Sequence, residues 1–379
     1  MDFDFSSDQY LLRDSVRTFL SDQWGPRKLR AAAGKPTREL WAGLSGLGLQ
    51  TLLVPAEHEG AGLDWVDLVL VLEEFGRALV PGTMGETILC ADIIARFGSP
   101  QQHADLLPKI AAGDCRFAFA HAQTGAGHTA AEVELSAQPA PGCWHLQGKK
   151  ILVPGAQAAT HLLVSARGPD GVPALYICET GQSGLIVDAH RAVDPSSLLC
   201  QVQFNAVSAQ PLGADPDRRA LGWLLESSTL AAAAQMVGIA AAALDLAVDY
   251  ARQRTQFDRP IGSFQAIKHK CADMLVALEC ARSTAYYASW ALAEQDAAAL
   301  VAVSMAKAAC GDACRLVCND ALQIHGGVGF TWDFDIHFYL KRGKLHEYAY
   351  GDASYHRERI AQFLLDGGMA GQPGETAAA

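Results

Sequence analysis

Two arginines and a phenylalanine near residue 255 are the side chains of this sequence best suited to bind a phosphate-bearing ligand. Arg254 and Arg259 flank Phe257 in the stretch RQRTQFDRPIGSFQAIKHK, residues 252–270. A guanidinium binds phosphate oxygens through two parallel hydrogen bonds, and the Phe257 ring offers a flat apolar surface to an aromatic group. A solvated helix terminus has the same local pattern, so both interpretations stay open at this point.

A glycine pair further along the chain is the second candidate. Gly326 and Gly327 lie within QIHGGVGFTW, residues 323–332. A residue without Cβ lets the backbone approach a phosphate closely. A plain helix terminator is the alternative, and the local sequence favours neither.

Length, composition and net charge restrict the classes of protein to which this sequence can belong. The chain has 379 residues, of which 50% are hydrophobic and 19% charged, so we expect a globular protein of two or three domains. A net charge of -11 argues against nucleic-acid binding. The start carries acids and no basic segment of a signal peptide, and the longest apolar run, residues 230–244, is short for a membrane span. We expect a cytoplasmic protein without a membrane span.

Periodicity indicates helices at both ends of the chain and strands between them. Ser6 and Gln9 form a possible capping box before the first helix. Alternation through Cys200, Val202 and Phe204 is typical of a half-buried strand. Small residues repeat along 230–248, which allows close helix packing. Further helices are predicted at about 263–294, 297–322 and 353–365, and the tail from 367 is expected to be frayed.

The arginine stretch and the glycine stretch, at this separation, resemble the acyl-CoA dehydrogenase family. FSSDQYLLRDSVRTFL, LWAGLSGLGLQTLLVP and DLVLVLEEFGRALVPG near the start are also similar to sequences of that family. The resemblance covers essentially the whole chain. It implies an α+β protein with an N-terminal helical domain at 1–115, a middle antiparallel β domain at 116–213 and a C-terminal four-helix bundle at 214–379.

The resemblance also implies a cofactor and residues that bind it. Family members use FAD to remove an α-proton and a β-hydride from an acyl-CoA thioester. The positions that meet the FAD nucleotide, partly across a subunit boundary, are carried over to this chain as Arg254, Gln256, Phe257, Gln265, Gln323, Gly326 and Gly327.

The catalytic base is where this sequence departs from the family pattern. In many members the base is a Glu directly before a Gly, and that place holds Tyr350 followed by Gly351. A phenol with a pKa near ~10 is a poor base at neutral pH. The family's second base position, early in the first long bundle helix, holds Ser228. Glu226 and Glu347, the latter expected on a helix surface, are the displaced candidates.

A second departure concerns the stretch that holds the flavin ring and the thioester in the family. Its Thr-Glu-Pro and Gly-Ser-Asp signature is replaced by AHAQTGAGH, residues 120–128, and its Trp-Ile-Thr strand by residues 151–154, ILVP. We therefore expect the nucleotide-binding half of the site to be kept and the ring-holding half to be lost. No metal is expected, either at His121 and His128 or at the cysteines spaced by four, Cys310, Cys314 and Cys318, which are better explained as buried thiols.

Three interpretations follow. The preferred one is the base-lacking subunit of a heteromeric acyl-CoA dehydrogenase, because the run from 329 to 361 looks like the bacterial chains that degrade steroids as two-chain tetramers. The second is a homo-oligomeric dehydrogenase with Glu226, Glu347 or Asp352 as base. The third is a non-catalytic structural subunit, or a flavin oxygenase on the same fold. The expected partners are an acyl-CoA substrate, a second subunit of the family or a further copy of this chain in a tetramer, and an electron-acceptor protein.

Overall fold

The computed structural model describes residues 4–31, 37–125, 128–213 and 219–365. Within these ranges helices occupy the beginning and the end of the chain, and strands occupy the middle. The predicted α+β class is confirmed. The tail from 367, for which fraying was predicted, lies outside the described residues, and the proposed domain boundaries at 115 and 213 stay a prediction.

The helices predicted at about 263–294, 297–322 and 353–365 are present within a few residues of those limits, and the capping box of Ser6 and Gln9 is present. A second capping box, Ser99 with Gln102, starts α6. The helices are α1 Ser7–Gln23, α2 Pro26–Ala31, α3 Arg38–Gly46, α4 Trp65–Arg77, α5 Thr83–Phe97, α6 Pro100–Ala111, α7 Arg219–Gln253, α8 Gln265–Ala293, α9 Ala299–His325, α10 Ile336–Tyr348 and α11 Ala353–Leu365.

Seven strands form one sheet in the middle of the chain. They are β1 Phe117–Ala120, β2 Ser136–Ala140, β3 Cys143–Pro154, β4 His161–Arg167, β5 Pro173–Glu179, β6 Leu185–Ala189 and β7 Leu199–Pro211. The sheet is mixed rather than wholly antiparallel, because β4 pairs in parallel with β1 and, at one register position, with β2. The chain between β1 and β4 is long and includes the β2–β3 hairpin, so it can return in the same direction, which a tight turn does not allow.

The chain divides into two compact units. The helical unit comprises the described residues of 1–31, 65–80 and 229–365, and the sheet unit those of 32–64 and 81–228. The core of the sheet unit is built from residues that alternate along β3, β4 and β7, among them Leu146, Leu162, Val202 and Phe204.

Close approach of α4 and α7 organises the helical unit. A Cβ added to Gly76 would lie 2.0 Å from the carbonyl oxygen of Gln235, and one added to Gly238 would lie 1.8 Å from that of Glu73. Only glycine fits at these two crossings, so the close packing predicted from small residues is confirmed. The helix α7 is long and apolar enough to cross a membrane by length and composition, but 78% of its most apolar window is buried in the protein.

Candidate functional site

The arginine stretch forms a tight, exposed hairpin directly after α7. The strands β8 Thr255–Gln256 and β9 Arg259–Pro260 pair in an antiparallel register. Phe257 and Asp258 have φ angles of 53° and 60°, the pair of positive values that a two-residue turn of this hand requires. Phe257 is 86% exposed, and this backbone conformation is uncommon for an aromatic residue. The hairpin therefore holds an aromatic ring out in solvent at a cost in backbone energy.

Contacts with the ring of Phe264, which follows the hairpin in the chain, support the hairpin. The Arg259 guanidinium carbon lies 4.1 Å from the centroid of the Phe264 ring, and the rings of Phe257 and Phe264 meet edge to face with centroids 6.1 Å apart. The backbone N–H of Ile261 donates to the Arg254 carbonyl at 2.8 Å. The hairpin is thus a preformed surface rather than a loose helix end.

The hairpin and the glycine pair are neighbours within the helical unit. Tyr250, near the end of α7, stacks on His325, the last residue of α9, with ring centroids 4.5 Å apart. Phe334 meets both rings edge to face. The ends of α7 and α9 are thereby held together, and the two stretches singled out by their chemistry adjoin one another.

The glycine pair is open to an approaching ligand. Gly326 has φ 67° and ψ -150°, a region that essentially only glycine occupies. Its N–H donates to the carbonyls of Gln323 and Leu322, so it also terminates α9. A Cβ added to Gly326 or Gly327 would meet nothing within 4 Å. Gly327 has a negative φ and no neighbouring atom that requires glycine, so its backbone is open to a ligand.

The residues carried over for FAD binding form a matching set of donors on the surface. Arg254, Gln256, Phe257, Gln265, Gln323 and Gly327 are exposed, and Gly326 is half-buried. Exposed guanidinium and amide donors, an aromatic face and open glycine backbone are the chemistry that binds phosphates and an aromatic base. These residues fit the nucleotide end of FAD.

Tyr350, at the first family position for the base, lies in a loop whose backbone is held by buried groups. Its φ is 59°, and its carbonyl contacts His356 Nε2 at 3.0 Å. Lys307 Nζ donates to the carbonyls of Glu347 at 2.9 Å and of Gly351 at 2.6 Å. The loop conformation is fixed through main-chain carbonyls, and its side chain at 350 is a phenol.

Two of the candidate carboxylates, Glu347 and Asp352, accept hydrogen bonds from other residues of the protein. Glu347 was expected on a helix surface, but it is 4% exposed because α10 packs against α9. Its carboxylate accepts from Arg315 at 3.1 Å and from Lys344 at 2.7 Å. Asp352 Oδ1 accepts from the N–H of Tyr355 at 2.9 Å, at the start of α11. Neither carboxylate is presented as a free base.

The second base position lies within α7. Ser228 is 2% exposed, and its hydroxyl finds no hydrogen-bond partner among the described residues. Glu226, two residues earlier on the helix, is half-buried. No carboxylate therefore stands at either of the two positions, 350 and 228, that the resemblance assigns to the base.

The stretch corresponding to the ring-holding loop contains a buried polar cluster that sequence reasoning missed. The N–H of Ile151 donates to the Ala122 carbonyl at 2.8 Å, which joins the two stretches. Lys150 Nζ donates to the His121 carbonyl, to Gln123 Oε1 and to Ser165 Oγ. Ala126 and Gly127, part of the departing stretch, lie outside the described residues.

A signal for this cluster was present in the strand pattern. Leu146, Gly148 and Lys150 share one face of β3, since side chains alternate along a strand, and Leu146 is in the core. Lys150 pairs with Val202 across the sheet and is fully buried. In the described part of the chain, no three His, Cys, Asp or Glu side chains are grouped as metal ligands would be.

Two family models match the chain. The model described as the N-terminal domain of acyl-CoA dehydrogenase matches residues 6–114, and the model described as its C-terminal domain matches residues 219–365. An acyl-CoA dehydrogenase of Bacillus subtilis (strain 168) is 30% identical over 379 residues, covering 96% of this chain and 99% of the relative.

Solved structures agree with these matches. A variant of the Tcur3481–Tcur3483 steroid ACAD is 33% identical with a TM-score of 0.87, covering 95% of this chain and 98% of that chain. A chain of the ChsE4–ChsE5 complex from Mycobacterium tuberculosis is 27% identical with a TM-score of 0.85, covering 96% of this chain and 99% of that one.

Proposed function

Since the chain belongs to the acyl-CoA dehydrogenase family, whose members are FAD-dependent oxidoreductases acting on CH–CH bonds, we propose that it is the base-lacking subunit of a heteromeric acyl-CoA dehydrogenase. One observation carries this proposal: the two positions that the resemblance assigns to the family's base hold Tyr350 and Ser228, neither of which is a carboxylate. Glu347 and Asp352 are already engaged in ion pairs or a helix cap. The α-proton of the substrate is then removed by a carboxylate of another chain.

The exposed hairpin and the glycine pair would hold the nucleotide part of FAD. Arg254 and Gln256 offer donors to phosphate oxygens, and Phe257 offers a stacking face. Gln265, Gln323, Gly326 and Gly327 complete this surface. When bound, FAD accepts the hydride from the β-carbon, while the protein supplies its placement. The 86% exposure of Phe257 supports a role at a subunit boundary, where a ligand and a second chain would cover it.

For the substrate we propose the CoA thioester of a bulky, steroid-type acyl group, handled in the cytoplasm. Similarity to the Tcur3481–Tcur3483 steroid ACAD at 33% identity supports this choice. Similarity to a chain of the ChsE4–ChsE5 complex supports assembly of two unlike chains, which we propose to form a tetramer. Electrons would leave to a separate acceptor protein.

Co-expression tests the proposal directly. This chain is produced alone and together with each acyl-CoA dehydrogenase-like chain encoded beside it, and flavin per chain and steroid acyl-CoA oxidation are measured. We expect little flavin and no turnover for the chain alone, and both after co-assembly. Flavin near one per chain with turnover from the chain alone would instead favour the homo-oligomer with Glu226 as base. An inert, colourless chain with every partner would leave only a structural role.

The proposed role of Arg254 in binding the nucleotide part of FAD can be tested with a matched control. Arg254→Ala in the co-assembled protein should lower FAD retention on gel filtration about tenfold or more, because one charge-assisted contact is lost. Arg252→Ala is the control, since Arg252 is exposed on the same turn of chain and its guanidinium pairs with Asp249 at 3.7 Å. Equal FAD retention in both variants would reject the role of Arg254.

A further inference from the structure

One carboxyl group of the sheet unit has an oxygen that the protein leaves without a partner. Glu86 lies in the first turn of α5 and is half-buried. Its Oε2 accepts a hydrogen bond from the backbone N–H of Phe119, on β1, at 3.2 Å. In the part of the chain that the structure describes, Oε1 receives no hydrogen bond and no cation pairs with this group, yet Oε1 is not enclosed by protein atoms. The preceding residue, Gly85, also borders open space, since a Cβ added there would meet nothing within 4 Å.

The edge of the sheet accounts for one of the two carboxyl oxygens. β1 stands at the end of the strand order and pairs with β4, so the N–H groups on its outer edge need partners from another element. Thr87 Oγ1 accepts from the N–H of Phe117 at 3.0 Å, and Glu86 accepts from Phe119 two residues later. Thr87 shows that a neutral hydroxyl is enough for this contact. The second oxygen of Glu86 is therefore not required by the sheet.

The protonation of Glu86 indicates which ligand group it suits. Burial raises the pKa of Glu86 to about 7, opposed by the hydrogen bond from Phe119. Near neutral pH the group is present as a carboxylate, which only accepts, and as a carboxylic acid, which also donates. A hydroxyl group can donate to the first form and accept from the second, whereas a ketone finds a donor in the acid alone. A ligand carboxylate would be repelled by the ionised form, so an alcohol fits best.

The first turn of α5 lies beside both stretches that the resemblance relates to the flavin ring and the thioester. Phe119, which donates to Glu86, directly precedes the first stretch, which begins at Ala120. The second stretch ends at Pro154, whose Cβ would lie 3.1 Å from a Cβ added to Gly82. A group bound to Glu86 is therefore close to the place expected for the acyl part of the substrate.

We propose that the second carboxyl oxygen of Glu86 binds a hydroxyl group on the acyl part of the substrate, so that this enzyme selects hydroxylated acyl-CoA thioesters. The inference rests on the proposed function and names its substrate class more closely: a bulky acyl group that carries an alcohol. Glu86 determines specificity here and takes no part in moving the α-proton or the hydride.

Binding of matched ligands to the co-assembled, FAD-loaded protein tests this role. The probes are non-reactive 3-thia steroid acyl-CoA esters that each carry one hydroxyl at a different carbon, together with their deoxy parent. We expect the wild type to bind one hydroxylated ester about tenfold more tightly than the parent, the value of one hydrogen bond. Glu86→Met, which removes both carboxyl oxygens, should reduce this ratio of dissociation constants to less than about twofold.

Thr87→Val is the matched control, because it removes the neighbouring contact with β1 and leaves Glu86 in place. The ratio should stay at about tenfold in this variant. Glu86→Gln replaces Glu86→Met if the latter does not fold. Its amide oxygen can keep the contact with Phe119, while its NH₂ group cannot accept from a hydroxyl, so the ratio should fall to about threefold.

Two results would overturn the assignment. One is a wild-type ratio below about twofold for every hydroxylated ester, and the other is a full wild-type ratio in Glu86→Met or in its replacement. FAD and turnover in the wild-type assembly would in either case leave the proposed function standing. A loss of about a hundredfold in turnover of the reactive deoxy ester in Glu86→Gln would instead identify Glu86 as the base and overturn both proposals.

Discussion

Two fully buried lysines, Lys150 on β3 and Lys307 on α9, each hold a loop that the sequence resemblance relates to a part of the family's site. Lys307 donates to two main-chain carbonyls of the loop that carries Tyr350. Lys150 donates to one main-chain carbonyl and to two side chains, those of Gln123 and Ser165. The first loop is therefore held independently of its side chains, whereas the second depends on which side chains it carries.

This difference is consistent with the two departures from the family pattern that were expected from the sequence. Where main-chain carbonyls carry the contacts, the residue at 350 can change from a carboxylate to a phenol without loss of the loop. Where side chains carry them, a change of sequence has to be accompanied by new partners. The stretch around His121 shows such a set, with Lys150, Ser165 and Gln123 satisfying one another.

The two lysines also differ in how far burial lowers their pKa. Burial lowers the pKa of Lys307 to about 8, opposed by Cys310, Glu347 and Asp352 nearby. Burial lowers the pKa of Lys150 further, to about 7, with only Glu134 opposing it. A buried ammonium with fewer negative neighbours is the less stable of the two.

Removing each lysine in turn should therefore have unequal effects. Lys307→Met leaves two buried carbonyls without donors and should lower the free energy of unfolding by about 3 kcal/mol. Lys150→Met should cost about half as much, because it removes a poorly compensated charge and Gln123 is half-buried and can turn to water. Urea unfolding at pH 7 measures both. A larger cost for Lys150→Met would contradict the comparison.

The pH dependence of stability sharpens the same contrast. Between pH 7 and the unfolded value of 10.5, Lys150 is deprotonated in the native state and protonated in the unfolded state. The unfolded state then binds more protons, so stability rises with pH by at most about 1.4 kcal/mol per unit. Lys150→Met should lose this rise from pH 7 upward, and Lys307→Met only above about pH 8. The measurement is the unfolding free energy of the three proteins from pH 6.5 to 9. If the unfolding free energy of each variant changed with pH in parallel with that of the wild type, the lowered pKa values of Lys150 and Lys307 would be rejected as the cause.

Sequence reasoning predicted the elements whose information is local. The capping box at Ser6, the helices after 219 and the alternation at Val202 and Phe204 follow from spacing, and the structure has them. The hairpin at Phe257 and the open turn at Gly326 were singled out as neighbours of a common ligand, and they adjoin through Tyr250 and His325. Their role in binding FAD stays a prediction.

The features that the sequence did not predict share a physical cause, since each depends on contacts between distant parts of the chain. Glu347 was placed on a surface because its helix was considered without α9. The parallel pairing of β4 depends on where a long connection returns the chain. Lys150 belongs to a pair of adjacent lysines, and only the register of β3 with β7 decides which one is buried. Extending the face of Leu146 along β3 would have identified it.

Replacement of Glu347 tests whether the loop held by Lys307 is only a structural element. Glu347→Gln keeps the shape of the side chain but weakens its contacts with Arg315 and Lys344, so we expect a loss of about 1–2 kcal/mol in unfolding free energy. Glu358→Gln, at an exposed position of α11, is the control and should change stability by less than about 0.5 kcal/mol.

Turnover of the co-assembled enzyme distinguishes a structural carboxylate from a catalytic one. Loss of a general base reduces turnover by roughly 10²–10⁴-fold. If the base belongs to another chain, Glu347→Gln and Glu226→Gln should each change steroid acyl-CoA oxidation by less than twofold, because neither residue touches the α-proton. A hundredfold loss in either variant would place the base in this chain. If that variant were Glu347→Gln, the loop that Lys307 holds through main-chain carbonyls would also carry a catalytic carboxylate.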